Sequence, residues 1–312
     1  MLYFADFGRM LEYLRLADYR FVALGFLFSV LWLLVRAQAW RILLQGKVSY
    51  REAFFTYSEG YLLNNIFPFR LGEAARALLI GRKPGLSFWE ALSTILIERA
   101  LDLAFAAALL LVTLPFVVEM EWARPAALLA AALVGVGLLL LYLSARNREK
   151  ALALFDWVAR RLPLARRLGG RVVPAVLDGL SVLTSGWTFL QAVLWIALNW
   201  LVAVGQYWFV LGAFTPDPPF IWAAFGLGAA AFGLAAPSAP GGLGTLDAAI
   251  WGAFTAFGLD PSLALAFSVT IHLIQYLVSL LGIAGFAREG ESLFALYRRL
   301  RSRQAASAPD GG

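Results

Sequence analysis

Asn64-Asn65-Ile66-Phe67-Pro68-Phe69-Arg70-Leu71-Gly72-Glu73 sits between apolar runs, where a membrane chain should be helical and uncharged. It carries instead two amides, a proline, a glycine and charges of both signs. Pro237-Ser238-Ala239-Pro240-Gly241-Gly242-Leu243-Gly244 interrupts the other half in the same manner. Both stretches contain Pro-x-x-Leu-Gly, at 68–72 and 240–244. The chain reads as two hydrophobic halves built around two breaks.

Composition sets the solvent. Of 312 residues, 61% are hydrophobic and 15% charged, against about 25% charged in soluble domains. Several apolar runs reach the ~20 residues that cross a bilayer as helix. Period-2 alternation is absent, which argues against a β-barrel. The expected class is an all-α polytopic membrane protein, multi-pass in the cell membrane, with 1–312 as one integral membrane domain. No cysteine and a single histidine exclude disulfides, thiolate chemistry and multi-histidine metal sites. No metal or cofactor is expected. The net charge of +6 is read as cytoplasmic loops and anionic headgroups, not nucleic acid.

Residues 1–19 are no signal peptide, because charges interrupt them, and they predict an interfacial amphipathic helix. A first half covers 20–144. Its first span is about 21–44, with Arg36, Arg41 and Lys47 at the far end. Ser49-Tyr50-Arg51-Glu52 is a capping-box pattern that starts a helix near Tyr50. That helix can run only to about Phe67 before Pro68, and a short helix over 70–80 follows. Ser87-Phe88-Trp89-Glu90 repeats the capping pattern and opens a long helix to about Val118. Arg99 lies about 12 residues, or ~18 Å, inside it. Residues 125–144 span again.

The segment 145–187 is rich in arginine with interleaved apolar residues, and is expected to be a cytoplasmic amphipathic linker. The second half, 188–286, holds a span to about Phe214, a short helix broken at Pro237, another short helix over 245–257, and a last span over 262–286. Asp260-Pro261 is a cap followed by proline at the first helical position. The basic tail, 287–312, is expected to be partly disordered.

Basic loops define sides. Arg82, Lys83, the 146–171 segment and the tail read as cytoplasmic, and loops 119–124 and 215–219 as external. Each half then becomes span, re-entrant hairpin, span, in opposite orientations: two inverted repeats. Paired broken segments in corresponding positions point to a transporter's binding site, because non-helical backbone at membrane depth needs protein or a wet cavity beside it. This tracing puts the N-terminus outside despite Arg9, Arg15 and Arg20.

The stretch 64–73, Glu98-Arg99-Ala100-Leu101-Asp102 and the stretch 237–244 together resemble the flippase-like membrane domain of lysylphosphatidylglycerol synthases. The resemblance runs from about Val22 to Phe286. It implies movement of a lipid between leaflets, or a related lipid-handling role. Some members carry a soluble aminoacyltransferase domain after the membrane part. The expectation here is a stand-alone member, without the synthase activity. The family pattern commonly has an arginine where this chain has His272, which leaves the charge of that position open.

The candidate substrate-binding residues are Asn64, Asn65, Arg70, Glu73, Arg76, Glu98, Arg99, Asp102, Pro240, Gly241, Gly242, Gly244 and His272. Charge deep in a membrane is costly, so a functional role is the default. Arg70, Glu73 and Arg76 either bind a lipid phosphate or pair with one another. Glu98, Arg99 and Asp102 touch at i, i+3 and i, i+4, with Arg99 as the acids' nearest cation and Arg70 within reach across a cavity. They form either a packing triad or part of the site. His272 reads as a neutral side chain bonded to a neighbouring helix, with a proton relay as the alternative. Asp247 reads as a cap. The glycines at 241, 242 and 244 free the backbone and offer amides to an anion.

The expected partner is a membrane lipid with an anionic headgroup, its phosphate on Arg70. A second copy of the chain or a lipid-modifying enzyme is the further partner considered. The function expected first is a lipid flippase-like transporter. The alternatives are a membrane-embedded glycosyl or acyl transferase, for which no Asp-x-Asp, His-Glu-x-x-His or Gly-x-Ser-x-Gly motif occurs, and a non-catalytic scaffold.

Overall fold

The computed structural model of the chain describes residues 6–68, 70–116, 123–161, 163–235 and 239–289. Every regular element among them is helical: α1 Phe7–Leu16, α2 Tyr19–Leu43, α3 Tyr50–Ile66, α4 Leu71–Ile80, α5 Phe88–Thr113, α6 Ala123–Arg146, α7 Arg148–Arg161, α8 Pro163–Leu180, α9 Gly186–Gly212, α10 Phe220–Ala235, α11 Thr245–Ala256, α12 Pro261–Ser279 and α13 Leu281–Glu289. Among the described residues three segments are long and apolar enough to cross a membrane: Tyr19–Leu43, Gly186–Gly212 and Pro261–Arg288. α5 has 26 residues and so matches them in length, but four charges interrupt it.

The helix ends follow local chemistry. Ser49 and Glu52 make the reciprocal bonds of a capping box, which satisfies two otherwise orphaned amides at the start of α3. At α5 only half of the expected box forms. Ser87 accepts from the Glu90 amide, while the Glu90 carboxylate is paired with Lys47. Asp260 caps α12 by accepting from Ser262 N at 2.7 Å, with Pro261 behind it.

α2 and α9 form the central pair. Gly25 lies against Val210 and Gly205 against Phe28, so neither position has room for a Cβ. Small residues at such crossings let the backbones approach closely. Asn199 Nδ2, on α9, donates to the Trp32 carbonyl of α2 at 2.8 Å.

Around this pair stand two hairpins. In α3–α4, Gly60 packs on Gly72; in α10–α11, Gly233 packs on the backbone of Thr245. All four helices have 17 residues or fewer, short of the ~20 needed to cross. The contact scheme of one half recurs in the other: α2 touches α3 as α9 touches α10, and α4 touches α5 as α11 touches α12.

The loops sort by end. Lys83 reaches Glu52, Lys47 reaches Glu90, Gln45 reaches Ser181, and Arg148 reaches Asp178. The basic loops and the mouth of the first hairpin therefore share one end. At the other end Asp18 N bonds the Ala213 carbonyl, Trp208 Nε1 bonds the Pro218 carbonyl, and Arg9 pairs with Asp260. α1 lies at that second end, held to the start of α12 by Asp6 N on Ser262 Oγ.

The expected linker 145–187 needs a correction. It is helical as α7 and α8, but its C-terminal part is no surface strip. Gly179 packs on Ser93 and the Glu90 carbonyl of α5, and Leu177, Leu180, Val182 and Leu183 are buried. Their apolar spacing belongs to a packed face. The expected break at Pro237, Ser238 beside it, loop residues 119–122 and the tail from 290 lie outside the described residues.

Candidate functional site in an arginine-rich cavity

The tips of the two hairpins meet. Arg70 adopts a left-handed conformation (φ 53°) at the start of α4, and its guanidinium donates to the Leu234 carbonyl near the end of α10. Gln275, on α12, donates to Asn65 Oδ1 and to the Gly241 carbonyl. Asn64 Oδ1 accepts from Gly72 N at 2.9 Å. Side chains of Asn64, Arg70 and Gln275 thus satisfy backbone at the two turns, as membrane depth requires.

Beside the tips lies a cavity of about 430 Å³. Asn64, Asn65, Arg70, Glu73, Arg76, Arg99, Asp102, Gly241 and Gly242 line it. Four of the residues expected there do not: Glu98, Pro240, Gly244 and His272.

Glu98 lies beneath the cavity floor, 1% exposed. Its carboxylate is 2.8 Å from Arg76 and 2.9 Å from Arg36, but 3.7 Å from Arg99. The expectation that Arg99 is its nearest cation is corrected here: neighbours on one helix diverge, and Glu98 is served by α2 and α4. Arg99 instead pairs with Glu73 at 2.8 Å and Asp102 at 3.1 Å. Arg70 pairs with Glu73 at 3.5 Å, not with Glu98. Arg76 is wedged between the rings of Trp40 and Tyr57, at 4.1 and 3.9 Å from their centroids. Such cation–π contacts gain strength when desolvated.

Arg36 is the residue that sequence reasoning misplaced. Read as one of the basic residues at the far end of the first span, it is buried in α2 and binds Glu98, Asp102 and Asn199. α2 stays helical for two turns past it, with Ala37, Ala39 and Trp40 buried. The available signal was its apolar flank, Val35 and Ala37. Trp200 was also missed; its Nε1 donates to Asp102 Oδ1 at 3.2 Å.

The cluster holds four arginines, at 36, 70, 76 and 99, and three carboxylates, at 73, 98 and 102. One positive charge is therefore uncompensated within it. The exposed members are Arg70 and Arg99, whose side chains are 34% and 30% accessible. The cavity thus presents guanidinium to whatever enters, and guanidinium matches phosphate or carboxylate with paired hydrogen bonds.

The glycine turn does not act as expected. Gly242 N bonds the Ala239 carbonyl at 3.0 Å, and Gly244 N bonds Asp247 Oδ2 at 2.7 Å. Those amides are spent inside the turn and leave little for an anion. Gly241 is needed for fit, since a Cβ there would sit 2.7 Å from Tyr276 Oη. Asp247 caps as expected and also bridges to α12, where Ser268 Oγ and His272 Nε2, the latter at 3.0 Å, both meet its Oδ1. Serine and histidine converge on one carboxylate oxygen, which is not the serine-to-histidine order of a nucleophilic relay. Among the described residues no His, Asp and Glu cluster forms a metal site.

Fold and cavity define an all-helical membrane protein with an arginine-rich chamber between two broken helix pairs. The chain belongs to the family described as the lysylphosphatidylglycerol synthase TM region, whose pattern matches residues 1–282. It is similar to a UPF0104 membrane protein of Methanothermobacter thermautotrophicus, 25% identical over 287 residues, covering 88% of this chain and 85% of the relative. No solved structure matches it significantly.

Proposed function

We propose that this protein is a multi-pass, flippase-like transporter of the cell membrane that moves an anionic or modified phospholipid between leaflets. The observation that carries the reading is the cavity at the meeting of the hairpin tips, lined by four arginines and two carboxylates, with Glu98 beneath it. The recurrence of one half's contacts in the other supports an inverted repeat, the architecture in which half-helices meet around a central substrate. Family membership supports a role with membrane lipids. Arg70 and Arg99 hold the headgroup phosphate. Glu73, ion-paired with both guanidiniums, keeps them aimed. Arg70 also ties the hairpins through Leu234, so a phosphate competing for that guanidinium loosens the tips.

The test is translocation of labelled anionic, aminoacylated and polyprenyl lipids by purified variants in liposomes, with thermal stability followed in parallel. Arg70→Lys keeps the charge but loses the planar fork, and transport is expected to fall about tenfold or more for one lost charge-assisted bond. Normal transport by folded Arg70→Lys and Arg70→Ala would sink the proposal.

A further inference from the structure

A second cavity, also of about 430 Å³, opens between α2 and α9 at the end where the basic loops gather. Gln38 and Arg41 line it from one face of α2, Gln45 from the turn after it, and Ser185, Thr188 and Gln191 from the start of α9. The spacing of three keeps Gln38 with Arg41, and Thr188 with Gln191, on one side of each helix. Arg41 lies two residues before the last residue of α2, and Ser185 immediately precedes α9, so the cavity sits at headgroup level.

Its polar groups are under-used. The Arg41 Nε donates to the Val48 carbonyl at 3.1 Å, but its terminal nitrogens bond nothing among the described residues. Gln38 and Gln191 likewise make no hydrogen bond or ion pair among them, although both belong to helices of membrane-crossing length. Amides in that setting need a polar partner. Ser185 leaves the first amides of α9 without a side-chain cap and bonds Thr188 Oγ1 instead, at 2.9 Å. Arg41 is the only charge among the described lining residues, and none of them is acidic.

We propose that this cavity binds a phospholipid headgroup carrying one negative charge and several hydroxyls, taken from the leaflet at the basic end. Arg41 takes the phosphodiester, and the glutamines, serine and threonine exchange hydrogen bonds with the hydroxyls, since each can both donate and accept. A headgroup amine finds no carboxylate here. The site is separate from the central cavity and does not depend on the transport reading.

The experiment is native mass spectrometry of the full chain in detergent, offered phosphatidylinositol, phosphatidylethanolamine or free inositol phosphate. Phosphatidylinositol should be retained in preference to phosphatidylethanolamine. Arg41→Gln should weaken its retention about tenfold, the worth of one charge-assisted bond. Because Arg41 also holds the Val48 carbonyl, the double change Gln38→Leu with Gln191→Leu provides a variant that leaves that contact alone; it too should weaken retention. Equal retention of the two lipids, or unaltered retention in both sets of variants, would overturn the site. Displacement by an equal concentration of free inositol phosphate would overturn its assignment to a lipid.

Discussion

The two hairpins share a backbone plan and differ in chemistry. Pro-x-x-Leu-Gly opens the return helix of both, and its third position is left-handed in both: Arg70 at φ 53° and Gly242 at φ 81°. In the second hairpin that position is a glycine, which adopts the conformation without steric cost. In the first it is an arginine, which bears the strain of a non-glycine residue there, of order 1–3 kcal/mol. The strained side chain is also the one that crosses to Leu234. Strain held at one of two matched positions marks the place where a side chain is needed. All seven charges of the central cluster come from α2, α4 with its preceding residue Arg70, and α5, while α9 to α12 contribute amides, an indole and backbone. One half supplies the charge and the other a neutral wall.

The largest expected effect breaks the charged half at its deepest point. Glu98→Gln leaves Arg36 and Arg76, 3% and 1% exposed, without their shared anion. Removing one partner of a buried pair costs about 3–5 kcal/mol, so a large fall in midpoint by fluorescence-detected size exclusion on heating is expected. Arg99→Ala should cost clearly less, because its side chain is 30% accessible and Glu98 keeps two closer partners. If Arg99→Ala destabilises as much as Glu98→Gln, the division between buried support and exposed site is wrong.

Matched glycines test the shared backbone. A Cβ on Gly72 would meet Asn64 Oδ1 at 2.6 Å and press on the Gly60 carbonyl; one on Gly233 would meet the Thr245 carbonyl at 2.7 Å. Gly72→Ala and Gly233→Ala should each cost about 1–3 kcal/mol, the usual penalty of overpacking. Gly244→Ala meets no atom within 4 Å but sits at φ 86°, so about 1 kcal/mol of left-handed strain is expected. The same thermal assay checks the order. Equal effects for Gly72→Ala and Gly244→Ala would show that conformation, not close packing, governs both turns.

Most helix boundaries were legible because membrane helices leave plain signals. Ser49 with Glu52, Asp260 with Pro261, and the proline at 68 each fixed an end to within a residue or two. The meeting of Asn64, Asn65, Arg70, Glu73 and Arg99 at one cavity was also legible, since polar groups in apolar runs must face one another. What was not legible is pairing across helices. Arg36 looks like any basic residue near the end of a span until α5 is placed beside it. Gly241 to Gly244 read as free amides until the turn closes on Asp247 and Ala239. The α8 apolar face looks interfacial until α5 covers it. Each miss depends on a neighbour distant in sequence, which periodicity does not report.

The smallest effect distinguishes the mouths of the hairpins. The first opens with a carboxylate: Glu52 accepts from the Ser49 amide and hydroxyl at 2.9 and 2.8 Å and faces Lys83 at 3.3 Å. These bonds, the Ser49 amide first, hold its carboxyl below the usual glutamate value. The second hairpin opens at Phe220 after two prolines, with the Trp222 amide on the Pro219 carbonyl, and has no titrating cap. A group whose folded pKa is lowered adds stability above its unfolded value, about 4.3 for glutamate, and loses it as the pH falls through the folded one. Acidification from pH 7 to 4 should therefore remove part of the first hairpin's anchoring and none of the second's. The loss is under about 1 kcal/mol, since the site is partly exposed. Hydrogen exchange at the amides of 50–54 and 220–224 reads the two mouths separately. With each rate divided by the intrinsic amide rate at that pH, wild type should lose protection at the first on acidification, and Glu52→Gln should show less protection there at both pH values with less change between them. An acid-induced loss of protection of equal size at 220–224 would show that the mouths do not differ in this way.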